Sequence, residues 1–155
     1  MIHDELIHLT LCLLAGTLAY LICRRWQVYL FALASGLFID VDHLFDYFMY
    51  HKRLMFNFKE AMSGKFFPAA GKCYIPFHGF EYAIILLIIS AVIFYLYHRR
   101  NIKNKFLPAI FLALGLSLCF HLVFDIISNK PKWQTYFISY RIAHHFNIKD
   151  FDFKK

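Results

Sequence analysis

Three carboxylates and an imidazole fall within seven residues at Asp40-Val41-Asp42-His43-Leu44-Phe45-Asp46, directly after an apolar run from Val28 to Ile39. An ionised side chain is costly to bury unless it is paired or bound to a cation. Carboxylate oxygens and imidazole nitrogens are the ordinary ligands of zinc, manganese and iron. The stretch therefore reads as one wall of a metal site. Other histidines and acids sit at the borders of apolar runs: His8 near the start of the first, His78 and Glu81 at the start of the third, His121 and Asp125 toward the end of the fourth. His121 and Asp125 are spaced i, i+4 and share a helix face; His78 and Glu81 are spaced i, i+3 and share one in a helix that has begun by His78. On a continuous second helix, Asp42, Asp46, His43 and Asp40 fall in that angular order across about 160°. That arc is too wide for one ion. It suits two close metals, or three ligands with a further carboxylate orienting a histidine. His3, His51, His98, His144 and His145 lie at segment ends or in the tail and read as surface or interface residues.

The elements that must position these groups are membrane helices. The 155 residues are 60% hydrophobic and 20% aromatic, with a mean hydropathy of +0.50, against about 45–50% apolar residues in a soluble domain. Four runs hold most of the excess. The first spans about Leu6 to Cys23 and ends in Arg24-Arg25. The second spans Val28 through the acidic stretch to an aromatic end at Tyr47-Phe48-Met49-Tyr50. The third spans about Gly79 to Tyr97. The fourth spans about Phe106 to Ser128, with Pro108 in its first turn, where proline is tolerated. Each approaches the ~30 Å thickness of a bilayer core. Asp4 and Glu5 stand where a signal peptide would be basic, so the first run is expected to be retained as a helix. The connection His51–Phe77 interleaves Lys52, Arg53, Lys59, Lys65 and Lys72 with Phe56, Phe58, Phe66 and Phe67, and Gly64, Pro68, Gly71 and Pro76 break it. It is expected to lie on the membrane surface as a short amphipathic helix or ordered loop. In the tail, Trp133, Tyr136, Phe137 and Tyr140 are at roughly helical spacing and predict another interfacial helix. The expectation is a single all-α domain, residues 1–155: a four-helix transmembrane bundle, up-down-up-down, with interfacial segments. In that topology every ionisable helix end named above falls on the same side of the membrane.

Net charge is +7, and with no nucleic-acid-binding motif it reads as basic loops beside anionic lipid headgroups. Cys12, Cys23, Cys73 and Cys119 show no CxxC spacing and read as small buried thiols. Neither a Ser-His-Asp arrangement nor a cysteine nucleophile motif competes with the metal reading. The long loop and the tail carry five and six Lys or Arg, against six in the two tight turns at the other side. Positive charge tends to stay cytoplasmic, which puts the site side toward the cytoplasm, although the turns are the denser in charge.

The motifs Asp40-Val41-Asp42-His43, Phe77-His78-Gly79-Phe80-Glu81 and His121-Leu122-Val123-Phe124-Asp125-Ile126-Ile127-Ser128, with His8 before them, resemble the family of inner-membrane metal-dependent hydrolases, also described as LexA-binding, inner-membrane-associated hydrolases. The resemblance covers His8 to Ser128. Two positions depart from the family pattern: Ile39 stands where a proline is usual, and the third motif has one histidine instead of two, with Glu81 in the place the second would serve. The alternation of His, HxxxD and HxxE is also similar, at fold level, to the all-helical zinc phospholipases C and related nucleases. The resemblance implies a hydrolase of a bacterial-type inner (plasma) membrane.

The resulting expectation is a metal shell of His8, Asp40, Asp42, His43, His78, His121 and Asp125. Glu81 is a further ligand or the general base, and Asp42 and Glu81 are the catalytic pair. The shell would hold one or two divalent ions, zinc first, with manganese or iron as alternatives. The substrate would be a phosphoester or phospholipid-like molecule met at the membrane surface, with membrane lipid as the surrounding partner and no nucleic acid. The alternative is a non-catalytic, metal-stabilised membrane scaffold that binds a soluble partner. Ion transport fits less well, because transporter sites tend toward the bilayer midplane.

Overall fold

The computed structural model describes residues 2–52, 57, 60–61 and 66–151. Its helices are α1 (Ile2–Cys23), α2 (Val28–Leu37), α3 (Asp42–His51), α4 (Phe67–Ala70), α5 (Phe80–Arg99), α6 (Phe106–Asn129) and α7 (Ile138–Ala143). Short 3-10 turns cover Ile39–Val41, Trp133–Tyr136 and Ile148–Phe151. Among the described residues the only sheet-like pairing is an isolated bridge between Lys72 and Asn147. Four stretches, Asp4–Cys23, Val28–His51, Phe80–Arg99 and Phe106–Asn129, are long and apolar enough to cross a membrane. The chain is an all-α membrane protein.

The chain packs as two compact units. The first, Met1–Phe38 with Phe80–Phe124, is the helical bundle. Lipid offers no hydrophobic drive for helices to associate, so small residues and hydroxyls do the work. Ala15, Ala19, Val28, Ala32, Ala109 and Ala113 are buried together. Ser117 Oγ donates to the Ala32 carbonyl at 2.7 Å, Ser35 Oγ to that of Leu114 at 3.0 Å and Ser90 Oγ to that of Pro108 at 2.8 Å. Leu6, Leu13, Leu14, Leu21, Ile84, Ile85, Ile88 and Val92 face outward, as a lipid-facing surface requires. These contacts also set helix direction. Tyr29 meets Gly16 while Gly36 meets Cys12, so α1 and α2 are antiparallel. Ala32 meets Ser117 while Gly36 meets His121, so α2 and α6 are parallel. Ser90 meets Pro108 while Leu86 and Leu87 meet Gly115, so α5 and α6 are antiparallel. The order is up-down-up-down.

The second unit is Ile39–Gly79 with Asp125–Lys155. Tyr47, Ala61, Phe66, Phe67, Cys73 and Ile75 form its core, with Leu44, Ala70 and Ile148 packed on it. Phe66 and Phe67 are thus turned inward. Arg53, Phe56, Phe58, Lys59, Gly64 and Lys65, part of the expected surface loop, lie outside the described residues. After α4 the chain runs as an irregular strap, residues 71–79, with a turn at 76–77; it is tied to the tail by Cys73 N–H to the Phe146 carbonyl and Ile148 N–H to that of Gly71.

Three expectations about the elements need correction. The second apolar stretch is not one continuous α-helix: α2 stops at Leu37, and Ile39–Val41 is a 3-10 turn before α3. β-branched Ile39 and Val41 alternate with aspartates that compete for backbone donors, so this run has little helical propensity. The single-helix angular order of Asp40, Asp42, His43 and Asp46 therefore does not apply. Second, α5 begins at Phe80, so His78 lies on the strap and not one turn before Glu81 on a helix. Third, the tail aromatics do not share one helix; Phe137 is extended (φ −107°, ψ 126°) between a 3-10 turn and α7.

A Cβ on Gly36 would overlap Cys12 Sγ and Ser117 Oγ. Gly36→Ala should destabilise the protein by about 1–3 kcal/mol through overpacking, seen as a lower thermal midpoint in detergent; an unchanged midpoint would contradict this close approach.

Candidate metal centre

The second unit builds its site from three elements held together by buried charge. Asp42 and Asp46, one turn apart on α3, are 1% and 3% exposed. Both carboxylates are used on strap amides: Asp46 Oδ2 accepts from Tyr74 N–H at 2.8 Å and Ile75 N–H at 3.0 Å, and Asp42 Oδ2 accepts from Phe77 N–H at 2.8 Å. Charge-assisted bonds of this kind offset the cost of burying a carboxylate. The carbonyl edge of the strap is gripped by Arg141 of α7, itself 1% exposed. Its guanidinium donates to the carbonyls of Tyr74, of Ile75 at 2.8 Å and of His78 at 2.7 Å. Residues 74 and 75 are therefore held by an anion on one edge and a cation on the other. Ile75 has φ +32°, a strained conformation for a β-branched residue. Asp46 and Arg141 hold it there, two residues before the phenylalanine whose amide Asp42 binds.

The strap delivers His78. Its Nδ1 lies 3.0 Å from Asp42 Oδ2. A carboxylate only accepts, so Nδ1 carries the proton and donates. Nε2 is then aimed at Asp40 Oδ1, 3.2 Å away, and Asp125 Oδ2, 3.6 Å away. A neutral nitrogen lone pair facing two carboxylates is repulsive; a proton or a metal cation between them makes the arrangement favourable. Without a metal, burial opposes the charge on His78, but hydrogen bonds to Asp40 and Asp42 and their negative charge outweigh it and push its pKa up to about 9. One ligand atom from each of Asp40, His43 and His78 lies within 4.8 Å of the others. His43 Nδ1 is buried with no hydrogen-bond partner among the described residues. Two imidazoles with adjoining carboxylates suit zinc, and also manganese or iron. Asp42–His78 has the form of the carboxylate–histidine pairs that orient metal ligands. The Asp40 and His43 side chains remain 17% and 21% exposed, so the group is partly accessible.

In the first unit His8 and His121 are both buried and stack with ring centroids 3.9 Å apart. His121 Nδ1 is 2.8 Å from the Gly36 carbonyl. That oxygen can only accept, so Nδ1 carries a proton and donates to it, and Nε2 is the other ring nitrogen. The edge of Phe124 supports the His8 ring. Asp125 follows His121 by one turn on α6. Glu81 is half-buried in the first turn of α5.

Of the residues singled out by sequence, Asp40, Asp42, His43, His78 and Asp125 come together in the second unit, and His8 pairs with His121 in the first. Asp46 is engaged with backbone amides. Arg141 was missed among the basic residues of the tail; its signal was a lone cation inside the apolar stretch Tyr136–Ala143. Burial pushes the Cys73 thiol and the Tyr136 phenol well above their ordinary ranges, with Asp46 adding to the first and Asp125 to the second. Neither supplies an anionic nucleophile at neutral pH. Comparison with protein-family models, curated proteins and solved structures gives no match to this chain.

Asp46→Asn and Arg141→Met should each speed hydrogen exchange at the amides of Tyr74, Ile75, Phe77 and His78 by about tenfold or more, as expected for losing hydrogen bonds to a charged group. Amides in the middle of α6 should be unaffected. Unchanged exchange along the strap would show that the two charges do not hold it.

Proposed function

We propose that the protein is a membrane-bound, metal-dependent hydrolase acting on a phosphoester or phospholipid-like substrate at the membrane surface. The observation that carries this reading is the orientation of His78: Nδ1–H committed to Asp42, and Nε2 turned toward Asp40 and Asp125. Asp40, His43 and His78 are the assigned ligands, with Asp125 beside them. Asp42 acts through His78, fixing its tautomer and ring. His8 and His121 are assigned to metal binding as well, because the bond to Gly36 leaves His121 Nε2 as its donor atom. A divalent ion held there, zinc before manganese or iron, would lower the pKa of a bound water and polarise the scissile bond. Glu81 is the candidate general base on its chain position, three residues after His78. We place the chain in a bacterial-type inner membrane, as the family resemblance implies, with the site side toward the cytoplasm on the balance of Lys and Arg.

The scaffold reading predicts a closed tetrahedral site, whereas catalysis needs an open position. The partial exposure of Asp40 and His43 favours the open form.

Purified protein should carry one or two equivalents of divalent metal. His78→Ala should lose metal outright, and Asp42→Asn should weaken its binding about 10–100-fold, the usual effect of removing a carboxylate behind a histidine ligand. Metal retained undiminished in both variants would contradict the assignment. Chelator should abolish hydrolysis of phosphodiester and phosphomonoester substrates, and Glu81→Gln should lower kcat about 10²–10⁴-fold with metal retained. A metal-replete protein inactive across such a panel leaves the scaffold.

A further inference from the structure

The first unit is charge-polarised. Its three acids, Asp4, Glu5 and Glu81, all stand in the first turns of α1 and α5, which run parallel. Its six cations, Arg24, Arg25, Arg99, Arg100, Lys103 and Lys105, all stand at the opposite helix ends, in the α1–α2 and α5–α6 turns. The two turns are neighbours, since the Arg25 guanidinium lies 5.2 Å from the centre of the Phe106 ring. No acid accompanies the cations in either turn.

One of these turns forms a cleft of about 570 Å³. Phe94, Tyr97 and His98 line it from one face of α5, and Ile102, Lys103 and Lys105 line it from the turn. The backbone that shapes it is closed by its own bonds. Asn101 takes a left-handed conformation (φ +53°). Ile102 N–H bonds back to the Tyr97 carbonyl at 2.9 Å and Asn101 N–H to that of His98 at 3.2 Å, the two bonds of a Schellman cap. Phe106 N–H then bonds Asn104 Oδ1 at 3.2 Å and starts α6. The turn is fixed by these contacts without any ligand.

We propose that this cleft binds one anionic phospholipid, its phosphate held by Lys103, Lys105 and His98 and the start of its acyl chains lying against Phe94 and Tyr97. The continuity of the two surfaces selects a lipid over a soluble phosphate. Phe94 and Tyr97 lie in the last turns of a membrane-spanning helix, and the cations follow directly after it. A ligand that fills the cleft must be apolar at one end and anionic at the other, and basic residues next to a membrane-spanning helix attract anionic headgroups. The volume lies within the range of small-ligand sites. The inference is independent of the metal centre.

Native mass spectrometry of the full-length protein tests it, with dioleoylphosphatidylglycerol and dioleoylphosphatidylcholine as probes. A single phosphatidylglycerol should bind about tenfold more tightly than phosphatidylcholine. Lys103→Gln/Lys105→Gln should remove that preference while leaving the thermal midpoint in phosphatidylcholine unchanged. Arg24→Gln/Arg25→Gln, which removes equal charge from the neighbouring turn, should keep it. Equal binding of the two lipids, or equal loss of preference in both double variants, would overturn a localised site. Displacement of the lipid by glycerol 3-phosphate at comparable concentration would overturn the lipid as the ligand and point to a soluble phosphoester.

Discussion

One oxygen of Asp42 accepts both the amide of Phe77 and Nδ1–H of His78. The candidate metal site of the second unit is arranged around that double contact. The contact fixes where the strap meets α3, and it fixes which nitrogen of His78 carries the proton. It therefore fixes which nitrogen faces Asp40 and Asp125. Histidine is a directed ligand only when its other nitrogen is already occupied. A buried carboxylate is the strongest common way to occupy it, and Asp42 is almost wholly enclosed. Arg141 reinforces the same placement from the far edge by binding the carbonyl of His78 itself.

Three irregular features of the chain bear on this contact. A 3-10 turn interrupts the second membrane stretch immediately before Asp42, Ile75 is strained at positive φ, and an arginine is buried in the tail. The strain at Ile75 and the burial of Arg141 are both offset by hydrogen bonds along the strap. Local rules are commonly broken where geometry serves a site. The bundle of the first unit shows the opposite character: regular helices, alanine contacts and hydroxyls satisfied by carbonyls.

That contrast explains what could be read from the sequence. The four membrane stretches were legible because a bilayer leaves the backbone few alternatives to long apolar helices. His121 and Asp125 were legible as one face of α6 because helical spacing survives in the sequence. The joining of Asp40, His43 and His78 was legible only through topology, which brings helix ends together without saying how. The strap was not legible. Its structure comes from carboxylates binding amides about thirty positions away, and such pairing has no period. Expecting a continuous helix through Asp40 and a helix already begun at His78 imposed a regular geometry on both. The inward turn of Phe66 and Phe67 was hidden for a related reason, since aromatics among lysines read equally as an interfacial face or as the core of a small folded unit.

The central question is whether the positive partner of His78 Nε2 is a metal ion or a proton. Anomalous diffraction at the zinc absorption edge, from crystals of the purified protein, answers it directly. The expected result is a peak about 2.0–2.1 Å from His78 Nε2, with Nδ1 still on Asp42 and with Asp40 and His43 among the other ligands. No peak there for zinc, or at the manganese or iron edges, with Nε2 instead bonded directly to Asp40 as an imidazolium, would contradict a metal centre.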